Sequence, residues 1–509
     1  MKKPIDPKFL GENGIHRVPL WRIGGYALNN SATNLYMMMM GYIAYFLGGP
    51  VGVTTMVASS FSMFMRLFDG VTDPIVGMLV DKTNGKFGKN RPFMVIGNAL
   101  LAVTSLILFF VTPMLPESSG PLGIRFIFFT IVSLFYYIGY TMQCIVTKSA
   151  QTCITNDPKQ RPLFAVFDGV YNTFLFTIIA IVIGNTETKY ATTGSKLGLA
   201  DPGAWQELLP IIMIVSAIFT TIAVISIAPK DREEFYGTGN TQQKIGLKDY
   251  WDTLKNNRAI QMLVLSASSD KLASTMKTGS VTIVLYGIVA GNYGLVNGTI
   301  SGITAVFGAV MLAIGVGGIA TRLGQRKAMI IGSWGGIVVN ALLILLWVFG
   351  DASQMVATAA DGTQTFNWGF FSIAHIGLMI ILSFFTGISG NIVIPMTADC
   401  ADYETYRSGK YMPGLMGTLF SFVDKIISSF APMISGALFA MVGFAERLPI
   451  SSDPYTKEVH YVAVFLMFGM LIIGLCCNII AMKFYPLTKE KMEEIQGEIA
   501  AIKAKAMKG

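Results

Sequence analysis

Asp69 and Asp73 stand four residues apart in RLFDGVTDPIVGMLVD, a stretch otherwise apolar enough to cross a membrane. On a helix that spacing puts both carboxylates on one face, with Thr72 beside them. A carboxylate near the centre of a bilayer costs roughly 2.5–3.5 kcal/mol on insertion scales, so two in one span need partners or a purpose. A small cation held between them would neutralise both. Sodium takes several hard oxygen ligands, whereas a proton needs one desolvated carboxylate, and the residues leave both open. Arg66, one turn before Asp69, offers a structural account of one acid and leaves Asp73 unmatched.

Other ionisable residues fall at membrane depth: Lys148, Lys271, Lys277 and Lys425, with Asp168, Asp270 and Asp424. Such charges face a bundle interior or a wet cavity and mark ion or substrate paths. Lys148 and Asp168 lie symmetrically about a turn at 153–162, so a salt bridge between neighbouring helices competes with substrate contact. Lys425, in mid-span, could hold a hydroxylated or anionic substrate. Asn29, Asn30, Asn34, Tyr36, Gln143, Tyr171 and Asn172 add a polar lining concentrated in spans one, four and five. Polar residues also glue helices together, so each alone carries little. The three histidines, His16, His375 and His460, form no cluster in the sequence.

The elements that position these groups follow from composition. The 509 residues are 52% hydrophobic and 13% charged, about half the charge of a soluble chain, which is roughly 25% charged. The mean hydropathy is +0.56. Apolar stretches of spanning length lie at about 22–48, 54–80, 92–113, 124–152, 162–185 and 205–228, then at about 259–290, 296–320, 327–349, 368–397, 411–443 and 458–484. This predicts an all-α membrane protein with twelve transmembrane helices in two pseudo-symmetric six-helix bundles. The N-tail is 1–21, the bundles 22–228 and 259–484, the charged central loop 229–258 and the amphipathic tail 485–509. A faint echo, RPFMVIG at 91–97 and RKAMIIG at 326–332, supports duplication.

Most of the 38 Lys and Arg fall on one side; the other receives Arg125, Lys189, Lys196, Arg447 and Lys457. The positive-inside rule then places both termini in the cytoplasm of a cell-membrane protein. The net charge of +8 reads as topology, not as nucleic-acid binding. No cleavable leader is expected from the polar N-tail. Five cysteines without metal-ligand spacing predict neither a metal centre nor a disulfide framework. The absence of a visible nucleophile–base pair argues against an enzyme.

Two long motifs carry a family resemblance. RLFDGVTDPIVGMLVDKTNGKFGKNRP at 66–92 and PMTADCADYETYRSGKYMPGLMGTLFSFVDK at 395–425 resemble the signatures of the glycoside–pentoside–hexuronide:cation symporters. The resemblance implies a major-facilitator fold whose halves rock to alternate access. It places Asp69, Thr72 and Asp73 on the family's cation-site positions and Lys425 on its eleventh-helix lysine. It departs elsewhere: Thr33 replaces an acidic residue of helix one, Gln143 the helix-four aspartate, Thr147 an aromatic residue. The helix-five arginine falls near Gly169, beside Asp168. The implied cation set is therefore Asp69, Thr72, Asp73 and Gln143. The implied substrate set is Asn29, Thr33, Gln143, Thr147, Asp168, Tyr171, Asn172 and Lys425.

Arg66, Asp81, Lys89, Arg91, Asp399 and Asp402 form the cytoplasmic gating motif, with contacts of Asp81, Lys89 and Arg91 expected to break as the inside opens. The activity so implied is cation-coupled symport of a sugar, glycoside or hexuronide, by a monomer in a lipid bilayer. It uses no cofactor beyond a coupling sodium ion or proton. An uncoupled facilitator or a lipid transporter on the same fold is the alternative.

Overall fold

The structure, a computed structural model, describes residues 17–83, 85–155, 160–192, 195–232, 235, 254–277, 279–315, 323–408, 422–488, 490–492, 494 and 495. A helix lies along each of the twelve apolar stretches. They are α1 (Leu20–Met40), α2 (Thr55–Lys82), α3 (Arg91–Leu106), α4 (Ile124–Ser149), α5 (Arg161–Thr192) and α6 (Pro202–Ile227). Then come α7 (Arg258–Met276), α8 (Tyr293–Gly315), α9 (Gln325–Phe349), α10 (Phe370–Ser408), α11 (Phe422–Met441) and α12 (Lys457–Phe484). Among the described residues, eight helices pass both length and hydropathy tests for a membrane span, or nine with α7 and its continuation counted together. That continuation, Ser280–Val289, bends by 49° from α7.

Local chemistry fixes the helix starts. Asp201 precedes Pro202 at the first turn of α6 and accepts the Gly203 N–H at 2.6 Å. Asn257 caps α7 by accepting from the Ile260 N–H at 3.1 Å, and Thr456 caps α12 through Val459 at 3.3 Å. Among the described residues, three π-helical segments interrupt the α geometry: Ile107–Val111 after α3, Ile283–Val289 beyond α7, and Phe465–Gly469 inside α12.

The chain divides into two compact units, Met1–Thr241 with Ala445–Leu448, and Gln242–Phe444 with Pro449–Gly509. In the first, α1 packs on α4, α5 and α6, α2 on α4, and α3 on α4 and α6. In the second, α7 packs on α10, α11 and α12, α8 on α10, and α9 on α10 and α12. Adding six to each helix of the first pattern reproduces the second. The faint sequence echo therefore corresponds to a repeated packing plan.

The contacts are close where small residues meet. A Cβ on Gly97 would stand 3.0 Å from the Gly139 carbonyl oxygen, and a Cβ on Gly139 would stand 3.0 Å from that of Gly97. This lets α3 and α4 approach backbone to backbone. In the second unit the core continues past α12: Tyr485, Leu487 and Ile495 are buried with Ala328, Met329 and Met482. The described start of the amphipathic tail is thus packed against α9 and α12. Between α9 and α10 a two-stranded hairpin, β1 (Val356–Thr358) and β2 (Gln364–Phe366), pairs antiparallel with Val356 opposite Phe366.

Candidate functional site

The α2 face predicted to hold a cation faces α4. Asp69 and Thr72 are both buried there. Thr141 of α4 donates to Asp69 Oδ1 at 2.8 Å, and its hydroxyl lies 2.9 Å from that of Thr72. Thr72 Oγ1 also lies 3.0 Å from the Asp69 carbonyl oxygen. Each hydroxyl has one proton, so donation from Thr72 to Thr141 and from Thr141 to Asp69 forms a relay ending on the carboxylate. The hydroxyl lone pairs and the carboxylate together make a hard-oxygen cluster suited to an alkali cation. Protonation of Asp69 would instead reverse the relay. Asp73 is half-buried one turn further along α2, and Arg66 is half-buried one turn before Asp69.

Thr141 was absent from the sequence-based set. A lone Thr in an apolar helix usually bonds back to its own turn, and the Tyr137 carbonyl, 2.9 Å from Thr141 Oγ1, offers that alternative for the same proton. Only the α2–α4 packing distinguishes it. Gln143, two residues on, is turned away: its amide nitrogen donates to the Met94 carbonyl of α3, and its Oε1 is buried without a partner.

A second polar cluster joins α1, α4 and α5. Asn29 Nδ2 donates to Thr147 Oγ1 at 2.8 Å, and Thr147 in turn donates to the Gln143 carbonyl oxygen at 2.8 Å. Thr33 bonds back to the Asn29 carbonyl at 3.0 Å. Along the α1–α5 seam, Asn30 Nδ2 donates to Asp168 Oδ1 at 2.7 Å and Asn34 Nδ2 to Asn172 Oδ1 at 2.9 Å. These are two rungs one helical turn apart. Tyr171 packs over Gly24, its hydroxyl 3.0 Å from where a Cβ would stand.

The structure therefore brings Asn29, Thr33 and Thr147 together between α1 and α4, places Asp168 and Asn172 along the α1–α5 seam, and sets Tyr171 against Gly24, all in the first unit. Lys425 is half-buried on α11, in the second unit. Of the two readings for Lys148 and Asp168, the salt bridge is not formed. Asp168 faces Asn30, while Lys148 is exposed at the last turn of α4. Counting about the turn misplaced them because α4 ends at Ser149, whereas Asp168 lies two turns inside α5.

Two residues of the predicted gating motif, Lys89 and Arg91, gather around a residue that sequence reasoning passed over. Asp231, fully buried just beyond α6, accepts from the backbone N–H groups of Lys89 (3.2 Å), Asn90 (3.1 Å) and Arg91 (2.9 Å). It also accepts from Asn90 Nδ2 at 2.9 Å, and Arg91 Nε lies 3.4 Å from its Oδ2. An anion at the N-terminus of α3 satisfies orphan donors and meets the helix dipole. Gly88 is required here on two counts. Its φ is +86°, and a Cβ would come within 2.3 Å of Asp231 Oδ2. The side chain of Asp81 lies outside the described part.

Next to Asp231, Lys230 is buried with its Nζ 4.0 Å from the Phe235 ring centroid. Burial pushes its pKa down to about 8. In the second unit the buried Glu404 accepts from Asn257 Nδ2 at 2.9 Å and from Arg407 at 2.7 and 3.1 Å. On the same helix, past its membrane span, Asp399 is half-buried. Burial and the negative charge of Asp402 push its pKa up to about 6.

Comparison with known proteins agrees with this architecture. A "Glucuronide carrier protein homolog" of Escherichia coli (strain K12) is 25% identical over 482 residues, covering 94% of this chain and 95% of that protein. An "Inner membrane symporter YicJ" of the same organism is 22% identical over 496 residues, covering 94% of each. Among solved structures, the nucleoside transporter NupG shares the fold with a TM-score of 0.57 at 12% identity, covering 92% of this chain and 100% of that one. The family model described as MFS/sugar transport protein matches residues 25–489, and the chain belongs to that family of multi-pass membrane transporters.

Proposed function

We propose that this protein is a secondary transporter that couples inward movement of a sugar or glycoside to a cation, sodium or a proton. The observation that carries this is the Asp69–Thr141–Thr72 cluster, a buried carboxylate with hydroxyl ligands at membrane depth. Membership of the sugar-transport family and likeness to a glucuronide carrier homolog and a symporter support the substrate class and the coupling.

In this reading Asp69, Thr72, Asp73 and Thr141 hold the cation. Cation binding removes the cost of a buried negative charge and fixes α2 against α4. That in turn orders the polar residues Asn29, Thr147 and Gln143, which lie further along α4 and across on α1. Such coupling is reciprocal, so substrate must also tighten cation binding. One charge crossing 100 mV supplies about 2.3 kcal/mol, enough to accumulate substrate several tens-fold. Both termini face the cytoplasm by the distribution of Lys and Arg, and the protein works as a monomer in the bilayer. Asp231, Lys89, Arg91 and Asn90 hold the α2–α3 turn so that the first bundle moves as one body.

Uptake by proteoliposomes tests the reading. A panel of neutral glycosides and uronides is offered under a sodium gradient alone and then a proton gradient alone. One gradient should drive accumulation, and Asp69→Asn should abolish it. Equal uptake with and without either gradient would leave an uncoupled facilitator.

A further inference from the structure

The first unit builds an anion site at the start of α3, and its own Asp231 fills it. That carboxylate stands four residues beyond α6 and meets Arg91 and the backbone N–H groups around it, next to Gly88 with its positive φ. The internal repeat supplies most of the same parts in the second unit. Arg326 matches Arg91 in the echoed stretches and stands in the first turn of α9 as Arg91 does in α3. Gly324, with φ +80°, precedes it. The acid is replaced: four residues beyond α12 the chain has Thr488. A cleft of about 440 Å³, counted to its open mouth, is lined there by Arg326, Lys327, Leu323, Ile330, Thr488 and Glu490. Arg326 Nε donates to the Met482 carbonyl at 2.8 Å and Nη2 to that of Lys483 at 3.2 Å. These two bonds aim the guanidinium and use two of its five donors. Lys327 is exposed beside it, and α9 starts without a side-chain cap, so the positive end of the helix adds to two cations. Leu323, 44% exposed, and Ile330, half-buried, give the cleft apolar walls next to its charges.

We propose that this cleft binds an anionic phospholipid of the inner leaflet. Its phosphate meets Arg326 and Lys327, and its glycerol and upper acyl chain run along Leu323 and Ile330. The first turn of a spanning helix on the Lys- and Arg-rich side lies at the depth of those headgroups. A soluble anion would use the charges alone, whereas a lipid uses the charges and the apolar walls together. The lining includes one acid, Glu490, exposed on the described start of the tail, and its charge opposes a phosphate at the rim. Tyr485 and Leu487 are buried with Ala328 and Met329, so a lipid held here joins the tail to α9 where the two already pack. The site is independent of the sugar carried and of the coupling ion.

Native mass spectrometry of the full-length protein, titrated with dimyristoyl phosphatidylglycerol or dimyristoyl phosphatidylcholine, tests this. The first phosphatidylglycerol should bind about tenfold tighter than the first phosphatidylcholine. Lys327→Gln should weaken phosphatidylglycerol about fivefold, the effect of one basic residue beside an anionic headgroup, and Arg326→Gln at least as much. Glu490→Gln should strengthen it, and Lys457→Gln, at the other end of α12, should leave it unchanged. Lys327 is exposed, so its variant answers even where Arg326→Gln fails to fold. Equal affinity for the two lipids in the wild type, or Lys327→Gln indistinguishable from it, would overturn the proposal. Inorganic phosphate bound with the same dependence on Lys327, without preference between the lipids, would give the cleft to a soluble anion and overturn the lipid assignment. A preference that appears only in Glu490→Gln would mean that the tail's own carboxylate fills the cleft, and would overturn it as well.

Discussion

Asn90 bonds Asp231 twice over: its backbone N–H lies 3.1 Å from both carboxylate oxygens, and its Nδ2 lies 2.9 Å from Oδ1. One buried carboxylate beyond α6 thereby fixes the start of α3. Asp231→Ala strips the partner from several buried donors and should cost about 3 kcal/mol of stability. Asp231→Asn, which keeps one acceptor oxygen, should cost roughly half of that. Thermal unfolding of the purified protein in detergent measures both, and an unchanged midpoint in the Ala variant would contradict the role.

In the proposed reading Thr141 places a hydroxyl oxygen beside the Asp69 carboxylate, 2.8 Å away. Thr141→Ala should raise the cation concentration for half-maximal uptake about tenfold, the worth of one hydrogen bond to a charged group. Thr141→Ser should restore the wild-type value. Cation titration of initial uptake rates reads the difference, and equal behaviour of the two variants would remove Thr141 from the site.

Lys230 gives a pH dependence whose sign is fixed. Its folded-state pKa of about 8 lies below the ordinary 10.5, so between those values the unfolded chain binds more protons than the folded one. Stability should therefore rise with pH across that window, as the buried ammonium becomes neutral. Lys230→Met should flatten this rise. Unfolding midpoints from pH 7 to 10.5 in wild type and variant test it, and parallel curves would refute the assignment.

Gly97 and Gly139 leave no room for a side chain where α3 crosses α4. Gly97→Val should cost about 1–3 kcal/mol, or displace α3 and lower uptake with it. A Gly97→Ala variant, with one methyl against a 3.0 Å approach, should fall between. Fluorescence-detected size-exclusion chromatography over a temperature series ranks the three.

The helices were legible because span length is fixed by bilayer thickness, and the bends were not. Nothing in the apolar pattern at 259–290 announces the 49° break after α7. The shared helix face of Asp69, Thr72 and Asp73 was legible, since spacings of three and four residues suffice to place side chains together on one helix. Thr141 required knowing which face of α4 meets α2. Asp231 looked like one more charge in a polar loop, because caps supplied from 140 residues away leave no local spacing to read. For Asp168 the sequence left a bridge to Lys148 and substrate contact open, and it could not show Asn30 as the partner, since depth depends on where a helix ends.

The π-helical segments carry a consequence for the internal repeat. Each π turn accommodates an extra residue, which rotates every later side chain by about 100° relative to an unbroken helix. The segment at Ile107–Val111 follows α3, whereas α9, the counterpart of α3, is α-helical from Gln325 to Phe349. The echo between 91–97 and 326–332 falls upstream of that insertion, in the stretch where the two copies still share a phase. Beyond it, the continuation of α3 presents its side chains out of phase with the matching turns of α9, so one packing plan carries unlike faces at those ends.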